Sequence, residues 1–187
     1  MCSSDLHLPI AILINNAGFG GAGRFDKLDA GRLQSMVHLN CVVPVVLTRA
    51  LLPAMVQRGR GAMIVVGSIA GRQPLPLHGV YSATKAFDRV LGESLWAEML
   101  GTGVDVLVLE PGATETEFQA AAGELAHEGE SPEQVVAVAL AALGRQPSVI
   151  SGWLNWLRAQ SARFVPDSIV LRLAQQVTST WTPTEMR

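Results

Sequence analysis

The chain has no block of basic residues and no alternation of cations with aromatics. Its 14 Lys and Arg stand against 16 Asp and Glu, a net charge of -2 in 187 residues, so composition argues against a nucleic-acid surface. Cysteine is scarce. Cys2 and Cys41 make neither a C-x-x-C pair nor a zinc spacing, so no cysteine metal site is expected, and the pair fits reduced thiols in a cytoplasmic protein. No long apolar run goes uninterrupted: the greasiest, Leu39 to Val56, is broken by Asn40, Pro44, Thr48, Arg49 and Pro53, and reads as a buried helix pair rather than a membrane span. The leader Met1 to Asp5 lacks a basic start and a long apolar core, so it does not have the form of a signal peptide. What remains is 49% apolar and 16% charged, the balance of a globular chain of one-domain size.

Three short runs punctuate the first two thirds. Ile10 to Ile14, Ala62 to Val66 and Val104 to Leu109 are apolar at nearly every position and end in turn residues. Such runs predict strands covered on both faces, as in a parallel sheet flanked by helices. The first runs into Asn15-Asn16-Ala17-Gly18, the second into Gly67-Ser68, the third into Pro111-Gly112. In an open α/β sheet these carboxyl ends are where a ligand lies; Gly18, Gly20 and Gly21 would let it approach the backbone, or make a plain glycine-rich turn. Asp29 predicts a helix from Ala30 to Arg58, bent near Pro44 and ended by Gly59. Asn40 sits inside it, where Asn is a poor helix former and either bonds a neighbouring carbonyl or serves a function.

A second helix, Val80 to Leu100, carries Tyr81 and Lys85 one turn apart on one face. A nearby ammonium favours the phenolate; bringing a phenol from about 10 to about 7 takes roughly 4 kcal/mol. Phe87, Val90, Leu91, Leu95 and Met99 form its apolar stripe. His78, in the loop before it, has no carboxylate paired with it in the sequence and is expected to face solvent.

Taken together and in this order, Asn-Asn-Ala-Gly, helical Asn40, strand-end Ser68, Tyr81-x-x-x-Lys85 and Pro111-Gly112 resemble the marks of the short-chain dehydrogenase/reductase family, over Ala11 to Thr116. The resemblance implies a Rossmann-like doubly wound parallel sheet and hydride transfer between a secondary alcohol or ketone and NAD or NADP. It implies Tyr81 as proton donor and acceptor, Lys85 as the group that lowers its pKa and holds the nicotinamide ribose, Ser68 as donor to the substrate oxygen, and Asn40 as holder of a relay water. Asn15, Ala17, Gly18, Tyr81, Lys85, Pro111, Gly112, Thr114 and Thr116 would line the cofactor. A homo-oligomer through the two long helices and a small, apolar alcohol or ketone as substrate follow from the same likeness. The family's glycine-rich turn precedes the first strand, and no such pattern lies among the first ten residues. At 30 or more residues per βαβ unit, roughly 60 residues of a complete domain are missing, so the chain reads as the rear portion of one.

Beyond Thr116, Glu117 to Gly129 predicts a substrate lid or an ordinary surface helix. Ser131-Pro132-Glu133-Gln134 starts a helix that stops at Gly144, and Ser148 to Gly152 predicts a last edge strand. Residues 1–152 then form the partial catalytic domain and 153–187 a helical extension, whose Trp153, Trp156, Phe164 and Trp181 could pack on the sheet, wall an apolar pocket, meet a partner or, with Arg158, Arg163 and Arg172, lie on a membrane. Two rival functions stand beside the reductase: a nucleotide-sugar epimerase or dehydratase, which shares Tyr-x-x-x-Lys but needs a larger sugar-binding region, and an inactive fragment that acts as an oligomerising module.

Overall fold

A computed structural model describes residues 9–161 and 164–187; Cys2, Arg163 and the leader lie outside the described residues. Four strands form one sheet in the order β1 (Ile12–Asn15), β2 (Gly61–Val66), β3 (Val104–Glu110) and β4 (Ser148–Ile150), every neighbouring pair parallel. The registers Leu13↔Met63, Ile64↔Leu107 and Leu109↔Val149 bring all the carboxyl ends to one edge.

Because side chains alternate across a strand, the sheet builds two cores. Leu13, Met63, Val65, Val104 and Val106 point to one face and pack with Met55, Leu51, Leu95, Trp96 and Met99 from the helices there. Ile64, Leu107 and Leu109 point to the other and meet Val135, Ala139 and Ala142. Burying side chains such as Met63 and Leu107 completely is worth about 1.5–3 kcal/mol each. Helices therefore cover both sides of a parallel sheet, a Rossmann-like arrangement.

On the first face lie α1 (Ala30–Val37), α2 (Val43–Arg58) and α3 (Gly79–Glu98). Asp29 caps α1 by accepting from the Arg32 amide at 2.7 Å, and Gly59, at φ 65°, closes α2. Where the sequence predicts a bend near Pro44, the helical stretch carries a π turn. Residues His38–Val42 make one π turn between α1 and α2, with the Val43 amide bonding back to the His38 carbonyl. Pro44 follows directly and has no N–H to give to the Asn40 carbonyl four residues earlier.

Two expectations are corrected here. By length and composition the stretch Ala30–Arg58 could cross a membrane; in the structure one side packs against the sheet and α3, while Val42, Val45, Val46 and Leu47 are exposed, so it is half-buried rather than a buried pair. Likewise β1 is covered on one face only: Ile12 and Ile14 are 57% and 58% exposed, and no described residue packs over them. The stripe on α3 also divides, with Leu95 and Met99 entering the core while Phe87 and Val90 face outward beside Ala86, Leu91 and Ser94.

On the second face lies α5 (Pro132–Ala142), capped by Ser131, which accepts from the Gln134 amide. Between β3 and α5 the short α4 (Phe118–Ala122) leads into an extended strap to Gly129, and Thr114 bridges Glu130 in parallel fashion. After β4, which is the expected edge strand, come α6 (Trp153–Ser161) and α7 (Asp167–Trp181). Ala174 and Thr178 anchor α7. Trp153, Trp156 and Phe164 are exposed at 73%, 52% and 89%, against the expectation that they pack on the sheet.

Candidate active site

The carboxyl ends of β1, β2 and β3 form a rim to which each candidate residue belongs. Ser68 follows β2 and accepts from the Ala70 amide at 3.1 Å, which folds residues Ile69–Arg72 into one 3-10 turn. That turn lies against α3 so closely that a Cβ on Gly71 would come within 2.5 Å of the Lys85 carbonyl carbon. Glycine there lets two backbones touch. The contact holds Ser68 near enough to Tyr81 for its hydroxyl to act on the phenol, while the serine Oγ also donates to the Pro111 carbonyl at 3.4 Å. The two hydroxyls that the sequence placed 13 residues apart lie near one another.

The environment of the phenol differs from the expectation. Burial is the largest influence and pushes the Tyr81 pKa well above the usual range for tyrosine; the Ser68 hydroxyl pulls it down, and the nearby carboxylates of Glu124 and Asp88 push it further up. Lys85, expected to lower it, is occupied. Its ammonium donates to the Val66 carbonyl at 2.7 Å and to Asp88 Oδ2 at 3.0 Å, and both partners of this pair are buried.

Asn40 joins the site indirectly. Its Oδ1 accepts from the Phe19 amide at 3.1 Å, and its Nδ2 donates to the Phe19 carbonyl and to Thr84 Oγ1, both at 3.0 Å. Thr84 in turn donates to the Tyr81 carbonyl at 2.8 Å. The amide thus ties the loop after β1 to the first turns of α3. The side chain is spent on this bridge, so any relay role falls to its backbone carbonyl, which Pro44 leaves without an α-helical donor. Gly18 lies under it: a Cβ there would stand 2.9 Å from Asn40 Oδ1.

The remaining predicted cofactor residues divide. Ala17 is exposed, and Gly18, Pro111, Gly112 and Thr114 are partly exposed along the rim. Asn15 is buried, its Nδ2 committed to Thr48 at 3.1 Å and its Oδ1 without a partner among the described residues. Gly112 is covered by the side chain of Asn155 from α6. Thr116 is exposed, and its hydroxyl accepts from the Phe118 amide at 3.3 Å, just ahead of α4.

Three further features meet the site, and of these only the strap over 117–129 matches an expectation, one of the two readings given for that segment. His78 is the first: it is 4% exposed, at the start of α3, with Nε2 3.2 Å from Glu124 Oε1, not facing solvent. The loop brings it inward through Leu77, which adopts φ 67° and whose carbonyl accepts from the Gly23 amide. Second, the strap after α4 closes over the site. Phe118 stacks at a tilt on Tyr81 with centroids 5.4 Å apart, Glu124 Oε2 meets His127 Nε2 at 3.1 Å, His127 stacks on Trp181 at 4.6 Å, and the Leu125 amide donates to the Trp181 carbonyl at 2.7 Å. Burial alone would raise the Glu124 carboxyl, but His78 and His127 bring it below its ordinary value. Third, Glu110 at the end of β3 is fully buried and bonded through both oxygens by the Arg72 guanidinium, one contact being 2.7 Å. This pair ties the Ser68 turn to the segment entering Pro111. The signal was present in the sequence as a lone acid closing an apolar strand, and as an arginine just after Gly71.

A Rossmann-like sheet whose rim joins Ser, Tyr and Lys in this geometry defines a nucleotide-type α/β oxidoreductase scaffold. The family model for short chain dehydrogenase matches residues 4–126, and the chain belongs to the short-chain dehydrogenase/reductase family. It is 37% identical over 110 residues to the ketoacyl reductase HetN of Nostoc sp., an overlap of 59% of this chain and 38% of that protein. Among solved structures it is similar to one described under 7beta-hydroxysteroid dehydrogenase stereoselectivity, with TM-score 0.81 and 25% identity over 92% of this chain and 69% of the other. It is also similar to a short-chain dehydrogenase from Sphingobium yanoikuyae in complex with NADPH, with TM-score 0.70 and 31% identity over 83% and 63%. The chain spans between 38% and 57% of the length of the first curated relatives it matches.

Proposed function

We propose that this chain carries the catalytic half of an NAD(P)-dependent oxidoreductase that interconverts a secondary alcohol and a ketone. The observation that carries it is the packing of the Ser68 turn against α3, which sets Ser68 near Tyr81, with Lys85 one turn further along the same helix. NADP is favoured by the similar proteins from Sphingobium yanoikuyae and Burkholderia cenocepacia, described in complex with NADPH and NADP. The rim suits the nicotinamide end of such a molecule: Ala17, Gly18, Pro111 and Thr114 are at least partly exposed there, and Asn15 Oδ1 is a buried acceptor without a partner among the described residues. When bound, the nicotinamide supplies the hydride.

The residues of the chain handle the oxygen. Ser68 orients it as a hydrogen-bond donor. Tyr81 gives its proton to the carbonyl oxygen in reduction and takes it back in oxidation. Lys85 completes the couple, and Asn40 keeps the β1 loop and α3 in register. Phe118 on the lid offers an apolar wall, which fits an apolar ketone. Residues 153–187 serve as a helical extension of the catalytic unit, the outward faces of α2 and α3 as its homo-oligomer surface, and the cytoplasm as its place of action.

Titrating the purified chain with NADPH and with NADH while following nucleotide fluorescence tests this reading. Binding that disappears in Lys85→Ala supports it. Failure of both nucleotides to bind sinks it for this chain, in favour of a binding module. That second reading has its own support in the outer edge of β1, unpaired among the described residues and bearing the exposed Ile12 and Ile14, which suits pairing with another chain.

A further inference from the structure

Asp88 is 2% exposed, one turn past Lys85 on α3, and lies in the interior that the catalytic helix shares with the π turn. One oxygen is 3.0 Å from the Lys85 ammonium; the other, Oδ1, is buried and has no partner among the described residues. A buried carboxylate with a single ionic partner is held in its charged form by that partner alone. The lysine is equally committed, since its remaining contact is the neutral Val66 carbonyl.

Every charged group facing this pair can be named. Lys85 and Asp88 belong to α3, and Cys41 faces them from the π turn, its thiol raised by burial and by Asp88. Around Tyr81, Ser68 reaches in from the turn after β2 and Glu124 from the lid. The one cation within this set is already neutralised by a carboxylate on its own helix.

We propose that Asp88 is a positioning residue for the Tyr81–Lys85 couple: by holding the Lys85 ammonium inside α3 it withholds that charge from the phenol, and it must be released for the couple to work. The idea rests on the oxidoreductase reading for its purpose, but not for its test. Two consequences are physical. Removing the carboxylate frees a full positive charge beside Tyr81 and removes a negative one, and both changes favour the phenolate. The larger part of the effect must also travel through Lys85, whose ammonium is the charge that Asp88 holds at 3.0 Å.

The chain contains one tyrosine, so the near-ultraviolet band of tyrosinate reports Tyr81 alone, with no cofactor or substrate present. Alkaline titration of the wild type, Asp88→Asn and Asp88→Val, with far-UV circular dichroism recorded at each pH to separate ionisation from unfolding, gives the measurement. Both variants are expected to ionise about one pH unit or more below the wild type. In a Lys85→Met background the same Asp88→Asn change is expected to move the midpoint by less than a third of that. Equal midpoints in wild type and either folded variant overturn the proposal. An undiminished shift in the Lys85→Met background overturns the route through Lys85 and leaves Asp88 a local charge only. Because nucleotide binding is measured separately, a chain that fails to bind NADPH yet shows the tyrosinate shift defeats the oxidoreductase reading without touching this one.

Discussion

The two walls of the candidate cleft are built on different principles. On the sheet side, the ends of β2 and β3 and the Ser68 turn are welded by a buried bidentate Arg72–Glu110 pair and by backbone contact at Gly71. On the lid side, residues 118–129 are held by one carboxylate shared between two imidazoles, by the His127–Trp181 and Phe118–Tyr81 ring contacts, and by hydrogen bonds from the Leu125 amide to α7, from the Ala22 amide to Ala122 and from Arg32 to Ala121. One wall depends on a carboxylate with no exposure at all, the other on a carboxylate that keeps 9% and on a segment whose Leu125 side chain is 47% exposed. A cleft that must keep two hydroxyls in register and still admit a ligand needs this asymmetry.

The difference can be broken from the sheet side first. Glu110→Ala leaves the Arg72 guanidinium without its buried partner and is expected to lower unfolding stability by about 3–5 kcal/mol in a urea titration. Gly71→Ala is expected to lower it by about 2–3 kcal/mol and to separate Ser68 from Tyr81, since the added methyl meets backbone that cannot rotate aside. On the lid, Glu124→Gln is expected to speed amide hydrogen exchange at Leu125 and His127 about tenfold while leaving β2 and β3 protected, the scale of one or two lost hydrogen bonds. A fall in global stability as large as that of Glu110→Ala would show the two walls to be alike. Acid should act on the lid in the same way. The Glu124 carboxyl lies below its ordinary value in the folded state, so its contribution is complete above the normal carboxylate range and disappears as pH falls through the lowered value. Exchange at Leu125 should therefore rise on that acid limb and not near neutrality. The smallest effect is expected at Phe164→Ser, where an 89% exposed ring leaves stability within about 0.5 kcal/mol.

The strands, the two long helices and the order of the rim residues were legible because each rests on a local rule. Continuous apolar runs gave β1, β2 and β3, Asp29 and Gly59 bounded the long helical stretch, and Tyr81 with Lys85 fell on one face by spacing. What local rules could not reach were pairings across the fold. His78 looked unpartnered because Glu124 lies 46 residues away in sequence and arrives only when the lid folds over. Lys85 was assigned to Tyr81 by proximity, whereas Asp88, three residues on and on the same face, competes for it at 3.0 Å. That competitor was visible in the sequence, and its burial was not. Ile12 and Ile14 looked like core for the opposite reason: the pattern of a covered strand was present, but no described element covers that face.

The π turn at His38–Val42 carries a consequence for rotational phase. A coil that closes over five residues instead of four places one extra residue between α1 and α2, and each residue of an α-helix turns the chain by about 100°. Deleting a single position such as Cys41 would let the whole stretch wind as plain α-helix, and everything upstream would swing by about that angle against α2. Asn40 would then leave Phe19 and Thr84, and the β1 loop would lose its clasp on α3 although no atom of Tyr81, Lys85 or Ser68 had been altered.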